Sequence, residues 1–576
     1  MIMKKSVSKL LSVITTAAVI AGSTALQGCA ASASAKKFVF TDGKITASDS
    51  SGCKISKTDL TIEKSGTYEV SGSCSDGSIT VKKGVTGVEL ILGGITLSSA
   101  DGAPICFNKS SAVTLTAKSG TVNTLSDTEK NNSDNYADNQ TAENAVIKCK
   151  DGSNVIIGGT GTINISANGK NGIKSGETTE TDGKASLEIK EAVLNIEAPV
   201  NDAINAGASL LISSGTLNIT AADDTVHSDY ALTIGTKNGG SDPMINIKSC
   251  YEGLEGANIT IESGDIKINA TDDGINAANS DLKGYAFTLD INGGNIYVNT
   301  EKGDGIDSNG TLTFNGGNTE IFATSSGANS PLDSDGEFKI TGGTVFAVGN
   351  SSMAQTPADG SQGFVSFGSA GFGARGGKPD FDGEMNKSDR KSPDGQNEPS
   401  DRQPGSDASS GKPDDFTGGN ADGQPRMHGE RQFGQNSGNM PPQNGENMQP
   451  PQNGAGAPQP PADQNGAEFT APGGTASDNQ SADGISIAAG DKLTVTDSGG
   501  KTLYSAEAVR GANYVFYSSA DVSDSKTYSL NINGESVKTS TVSESKSNRG
   551  FGGNPPQKPG EAMMRMPQDS GKNRNS

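Results

Sequence analysis

Tryptophan is absent from the 576 residues, histidine occurs twice, and aromatic side chains make up only 5% of the chain. Apolar residues reach just 32%. Without large apolar side chains a chain cannot fill one thick globular core; it is partly disordered, or a thin stack of short strands. Positive charge is also short, since Lys+Arg 46 against Asp+Glu 67 leaves a net charge of −21. That balance repels nucleic acid and anionic membrane surfaces, and excludes a nucleic-acid-binding role. No arginine precedes Arg375. Apart from Leu10–Ile20 there is no apolar run of note, so no second segment can span a membrane.

Cysteine is scarce as well. Five lie beyond residue 29, namely Cys53, Cys74, Cys106, Cys149 and Cys250. An odd number completes no disulfide framework, and none has CxxC spacing, which argues against a zinc site. Cys53 could pair with Cys74; the alternative is that all five are small core residues. Near the N-terminus, Lys4, Lys5 and Lys9 precede the apolar run, and Leu26-Gln27-Gly28-Cys29 follows it. The pattern is that of a secretory signal, and its end resembles a bacterial lipobox. Residues 1–28 are thus expected to be a lipoprotein signal peptide, with Cys29 lipidated. Two acyl chains suffice to hold a protein at a membrane, placing this one on the outer face of the cell membrane.

Glycine is abundant: 77 of 576 residues is about 13%, against a usual ~7%. Its distribution divides the chain. After a linker over 29–49, residues 50–370 alternate short Ile/Val/Leu/Thr runs with Gly, Asn, Asp and Ser, a strand pattern without helical periodicity. Residues 371–482 are rich in Gly, Pro and Gln and are expected to be a disordered insert. Strand alternation returns over 483–540 as a small C-terminal β module, and 541–576 reads as a disordered tail. Within 50–370 a unit recurs, with apolar landmarks at Ile173, Ile204, Val226, Leu254, Ile275, Ile306 and Leu332. A spacing of 20–30 residues or so, holding two or three strands and no helix, predicts a parallel β-helix solenoid. The fold class is all-β.

Aligning the units on that landmark brings acidic turns to one corner. Before it stand Asn201-Asp202, Asp223-Asp224, Tyr251-Glu252, Asp272-Asp273 and Gly303-Asp304; after it stand Asn205, His227, Glu255, Asn276, Asp307 and Asp333. Any single such turn is served by Asp and Asn as turn formers. The array is different. Carboxylates about 4.8 Å apart on neighbouring coils repel by about 3–4 kcal/mol per pair at an effective dielectric near 20. A counter-charge is expected, and Ca2+, which takes six to eight hard oxygen ligands, fits. The ligand set expected is Asp202, Asp223, Asp224, Glu252, Glu255, Asp272, Asp273, Asp304 and Asp307.

The runs Asp223-Asp224-Thr225-Val226-His227-Ser228, Ser249-Cys250-Tyr251-Glu252-Gly253-Leu254-Glu255-Gly256 and Asp272-Asp273-Gly274-Ile275-Asn276-Ala277 resemble a clostridial family of secreted β-helix proteins. So do Ser65–Gly72, Leu90–Ile95, Ser351–Gln355 and the module from Ile485 to Asn533. The resemblance implies a right-handed, calcium-bearing parallel β-helix that binds cell-wall carbohydrate, cellulose and polygalacturonate among its ligands. Thr225 and Ala203 stand where the family has glycine, and Asn201 also departs from the pattern, so calcium should be held less well on those coils.

Parallel β-helices also include pectate lyases, which pair calcium with a cationic base, usually arginine. The solenoid stretch has none; lysines such as Lys174, Lys248, Lys267 and Lys302 could substitute. Acidic pairs recur along the stack whereas a catalytic site is unique, and His227 takes a position filled elsewhere by Asn, Glu or Asp. The expected function is therefore binding, not catalysis: a monomeric cell-surface lipoprotein that binds acidic polysaccharide such as pectin through calcium. The alternatives are a pectate-lyase-like enzyme and a purely structural envelope or spore-surface protein. No sugar-contacting residue is singled out; Tyr251 and Tyr285 are isolated rings.

Overall fold

The computed structural model describes residues 34–176, 186–282, 284–325, 327, 329–358, 360–368 and 484–547. The signal segment, Cys29 and the whole of 371–482 lie outside the described residues. The regular structure among the described residues is almost all strand, in one 33-stranded, mostly parallel sheet and one four-stranded antiparallel sheet. The one helix among the described residues is Val542–Ser547.

The parallel strands pair in three successions, each strand bonding to its counterpart one repeat later. One succession runs Val122–Ser126, Thr162–Ser166, Val193–Ala198, Thr216–Ala221, Met244–Ser249, Asp265–Ala270, Asn295–Thr300, Asn318–Phe322 and Thr344–Gly349. A second joins Ala145–Cys149, Asn171–Ser175, Ile204–Ala206, Val226–Ile234, Leu254–Ile261, Ile275–Ala277 and Ile306–Ser308. In the third, Ala112–Ala117 leads through Asn154–Gly158, Ser186–Ile189 and Ser209–Ile212 to the later halves of Val226–Ile234 and Leu254–Ile261. The register places Ile173, Ile204, Val226, Leu254, Ile275 and Ile306 directly opposite one another, and a bridge adds Leu332. The repeat landmarks expected from sequence are thus true neighbours.

Like stacks on like because alternation sends every second side chain inward. Leu125, Ile165, Ile196, Ile219, Ile247, Ile268, Val298 and Ile321 form one such buried file. Burying each contributes about 1.5–3 kcal/mol, which is how a chain so poor in aromatics acquires a core. Ile219→Ala, which opens a cavity in mid-file, is expected to cost about 2–5 kcal/mol, read as a lower urea midpoint.

One strand of the C-terminal module joins this sheet, and its other four form the antiparallel one. Its strand Tyr514–Ser518 pairs antiparallel with both Thr344–Gly349 and Phe364–Phe367. A parallel stack otherwise ends on unpaired N–H and C=O groups that invite aggregation, and this strand covers them. A second core of Phe322, Phe346, Val348, Tyr517 and Tyr528 joins the two parts. The module also extends beyond residue 540, where a tail was expected: Val542 is fully buried, and the Ser366 N–H donates to Ser545 Oγ at 2.9 Å. The five cysteines are free, and all but Cys53 are buried, so Cys53 and Cys74 do not pair.

Candidate functional site

The acidic turns connect the first succession of strands to the second, and backbone bonds stack them. Ala203 N–H donates to Asp224 O, Thr225 N–H to Glu252 O, Gly253 N–H to Asp273 O and Gly274 N–H to Asp304 O, all at 3.0–3.1 Å. One row of side chains therefore comprises Asp202, Asp224, Glu252, Asp273 and Asp304. Three residues further on, a second row runs Asn205, His227, Glu255, Asn276 and Asp307 by strand register. Asp333 follows by the Ile306–Leu332 bridge. The remaining two expected ligands, Asp223 and Asp272, sit outside these rows, stacked on Tyr251 through backbone bonds of 3.1 and 2.9 Å. Tyr251 remains 47% exposed, whereas the Tyr285 hydroxyl is 2.7 Å from the Asn258 side chain.

Glycine between the rows has a steric cause. A Cβ on Gly274 would stand 2.2 Å from Val298 Cγ1 and 2.5 Å from Gly305 O, and one on Gly253 would stand 2.2 Å from Gly274 O. Ala203 and Thr225 do carry side chains at this position, both fully buried, and Thr225 Oγ1 donates to Gly253 O.

Two clusters result, with different counter-charges. In the first, His227 Nδ1 lies 3.3 Å from Asp224 Oδ2 and bonds Glu255 Oε2, while Nε2 lies 3.0 Å from Asp229 Oδ1. Burial opposes a charge on the imidazole, but these three carboxylates outweigh it and hold the ring well above its usual 6.5. Burial likewise opposes ionisation of Glu255, yet His227 keeps it below the ordinary carboxylate range. The imidazolium is therefore the cation of this cluster, on the coils where glycine is missing.

The second cluster is Asp304, Asp307 and Asp333, each offering a carboxylate oxygen within 4.8 Å of the others. Among the described residues no side-chain cation is in place here. Burial first, then the charges of Asp273 and Asp333, pushes Asp304 up to about 8 despite a bond from Ser330 N–H. Burial and the charge of Asp333 raise Asp307 to about 7. Burial also raises Asp333, against bonds from Ser334 N–H and Gln355. Between the clusters, Glu252 is pushed up to about 8 by burial and by Glu255, and Asp273 to about 6 by burial. Asp202, almost fully enclosed, rises to about 6 for the same reason.

The second cluster fits a hard divalent cation. Its donors are all oxygen, and they are short of positive charge. In the same row, Asn276 Oδ1 is buried with no hydrogen-bond partner among the described residues, an acceptor whose desolvation none of them offsets. Asp333 was aligned in sequence yet omitted from the expected ligands; the signal for it was its place in the repeat. Arg510 could not be found that way. It comes from the C-terminal module and bonds Asn299 Oδ1 on the strand leading to Asp304, so the face adjoining the acidic corner has an arginine after all.

A family model described as carbohydrate-binding domain-containing protein matches residues 56–240 and 237–361. A carbohydrate-binding domain-containing protein of Acetivibrio thermocellus is 32% identical over 138 residues, which is 24% of this chain and 47% of that protein. The chain thus spans about half the length of that relative. A solved structure, of the polysaccharide lyase-like protein from C. thermocellum as a gadolinium derivative, is 22% identical and covers 57% of this chain and 98% of its own, with a TM-score of 0.29.

Proposed function

Because the chain belongs to the carbohydrate-binding domain-containing protein family, we propose that it binds acidic polysaccharide through calcium held at Asp304, Asp307 and Asp333. The observation that carries this reading is the trio itself: half-buried, stacked carboxylates with no side-chain cation among the described residues, beside an orphaned Asn276 Oδ1. Calcium bound there would offset two of the trio's three charges and present open coordination positions to the carboxylates and hydroxyls of a uronate chain. Asp304 and Asp307, on one turn, and Asp333, on the next rung, would hold it; Ser330 N–H and Gln355 orient the carboxylates from behind. Galacturonate polymers such as pectin are the substrate class suited to this chemistry, which draws on abundant carboxylates rather than scarce aromatic rings.

The same reading treats the three strand successions as the faces of a right-handed parallel β-helix. It places the protein at the cell surface as a monomer, anchored through a lipidated Cys29. Support for the winding comes from the register, in which each strand meets its own repeat. Titration of the full chain with polygalacturonate is expected to give binding in calcium and none in EDTA. Equal binding in both would overturn the bridging mechanism.

One observation favours a second reading, a polysaccharide lyase. Arg510, whose guanidinium burial holds below its ordinary pKa, offers the cationic base that residues before Arg375 lack. Ultraviolet absorbance from unsaturated uronide, growing with calcium and lost in Arg510→Ala, would establish it. A flat trace leaves the protein a binder.

A further inference from the structure

The corner that carries the acidic rows has another occupant nearer the N-terminus. Between Val122–Ser126 and Ala145–Cys149, where later rungs have a short acidic turn, the chain makes a long loop over 127–144. It is held without an apolar core. Asn131 is fully buried, and its amide makes four bonds: Nδ2 to Asp127 Oδ2 at 2.8 Å and Ala145 O at 2.9 Å, Oδ1 from Glu143 N–H at 2.6 Å and Asn144 N–H at 3.1 Å. Asn132, 3% exposed, accepts from Asp134 and Asn135 N–H and donates to Gly169 O at 2.9 Å. Asn139 Nδ2 ties Asp101 O and Lys130 O, each at 2.6 Å. Buried amides this fully satisfied give the loop one conformation, so a ligand need not order it on binding.

Two clefts of about 660 and 610 Å³ flank this loop, and Lys130 lines both. Glu129 lines the first; Tyr136, Asp138 and Asp101 line the second. Tyr136 is 36% exposed and lines the second cleft, where its ring offers a platform. Lys130 is already paired, 3.6 Å from Asp101. The lining thus combines an exposed aromatic ring with carboxylates that accept and amides that donate, and its one lysine, Lys130, is already paired. A uronate would be repelled. A neutral pyranose matches it, its C–H face on the ring and its hydroxyls on Asp138, Asn135 and Lys130.

The geometry points to a second sugar site, a calcium-independent cleft at the 127–144 loop that takes a neutral pyranose residue on Tyr136. The assignment rests on the carbohydrate-binding reading of the family, but not on calcium bridging. Six rungs separate Asn144 from Asp304, about 29 Å at strand spacing, so the two sites respond independently to substitution.

The full chain is to be titrated in EDTA with cellohexaose, xylohexaose and mannohexaose, and separately with polygalacturonate in calcium. At least one neutral hexasaccharide is expected to bind in EDTA. Tyr136→Ala should weaken that binding about tenfold or more and leave polygalacturonate binding unchanged. Tyr136→Phe, which keeps the ring, should lose far less. Melting of both variants should match wild type, since the ring is exposed. If no neutral hexasaccharide binds in EDTA, or Tyr136→Ala binds as wild type does, the site is overturned. Loss of polygalacturonate binding by the wild type would instead count against calcium bridging alone.

Discussion

Replacing Asp304, Asp307 and Asp333 together by asparagine is expected to abolish the response of melting temperature to calcium. In the unsubstituted protein, saturating calcium at a thousandfold excess over its dissociation constant stabilises by about 4 kcal/mol, a rise on the order of 5–10 °C. The asparagine variant keeps the shape and the backbone bonds but loses the charge that holds a divalent ion, so its melting should not move with calcium. Its metal-free state, however, is freed from burying three like charges, which the raised Asp304 and Asp307 identify as costly. In EDTA at pH 8 the variant should therefore melt above wild type, and in calcium below it. Calorimetric scans of both proteins under both conditions decide the matter. A wild type indifferent to calcium, or a variant that keeps the full shift, would remove this trio from the mechanism.

How much of this could be read from the sequence differs between rows and contacts. Ile173, Ile204, Val226, Leu254, Ile275, Ile306 and Leu332 were legible because stacking forces each rung to repeat the previous one, and repetition is a sequence property. The same logic carried Asp202, Asp224, Glu252, Asp273 and Asp304 into one row. It could not tell which carboxylates converge. Asp223 and Asp272 look identical to their neighbours in sequence, but the turn directs them outside the two rows. His227 looked like one more ladder position, and it is; what sequence hid is that three carboxylates surround it and make it the counter-charge. Arg510 and the 127–144 loop were hidden for another reason. The arginine returns from beyond a long insert, and the loop is held by asparagine bonds that follow no period. Non-repeating features of a repeating fold are the ones its periodicity conceals.

Acidification of the metal-free protein should stabilise it, which is opposite to the usual behaviour of paired carboxylates. Asp304 and Glu252 titrate at about 8, Asp307 at about 7, and Asp202 and Asp273 at about 6, all raised chiefly by burial from ordinary values of 3.8 or 4.5. Between about pH 4 and 8 the folded chain therefore holds more protons than the unfolded chain. Stability falls with rising pH wherever that is so. His227, raised above 6.5, contributes in the same sense, its stabilisation being lost as pH climbs through its folded pKa. Glu255, lowered, acts oppositely, but its loss falls below its ordinary 4.5, at the acid edge of this window. Melting temperature in EDTA should accordingly drop steadily from pH 5.5 to 8.5, by at least about 3 °C. Calcium requires deprotonated ligands, so its affinity should climb over the same interval and flatten or reverse the slope. A metal-free protein that grows more stable towards pH 8.5 would mean that the carboxylates are already compensated, and the case for a cation at Asp304, Asp307 and Asp333 would fall with it.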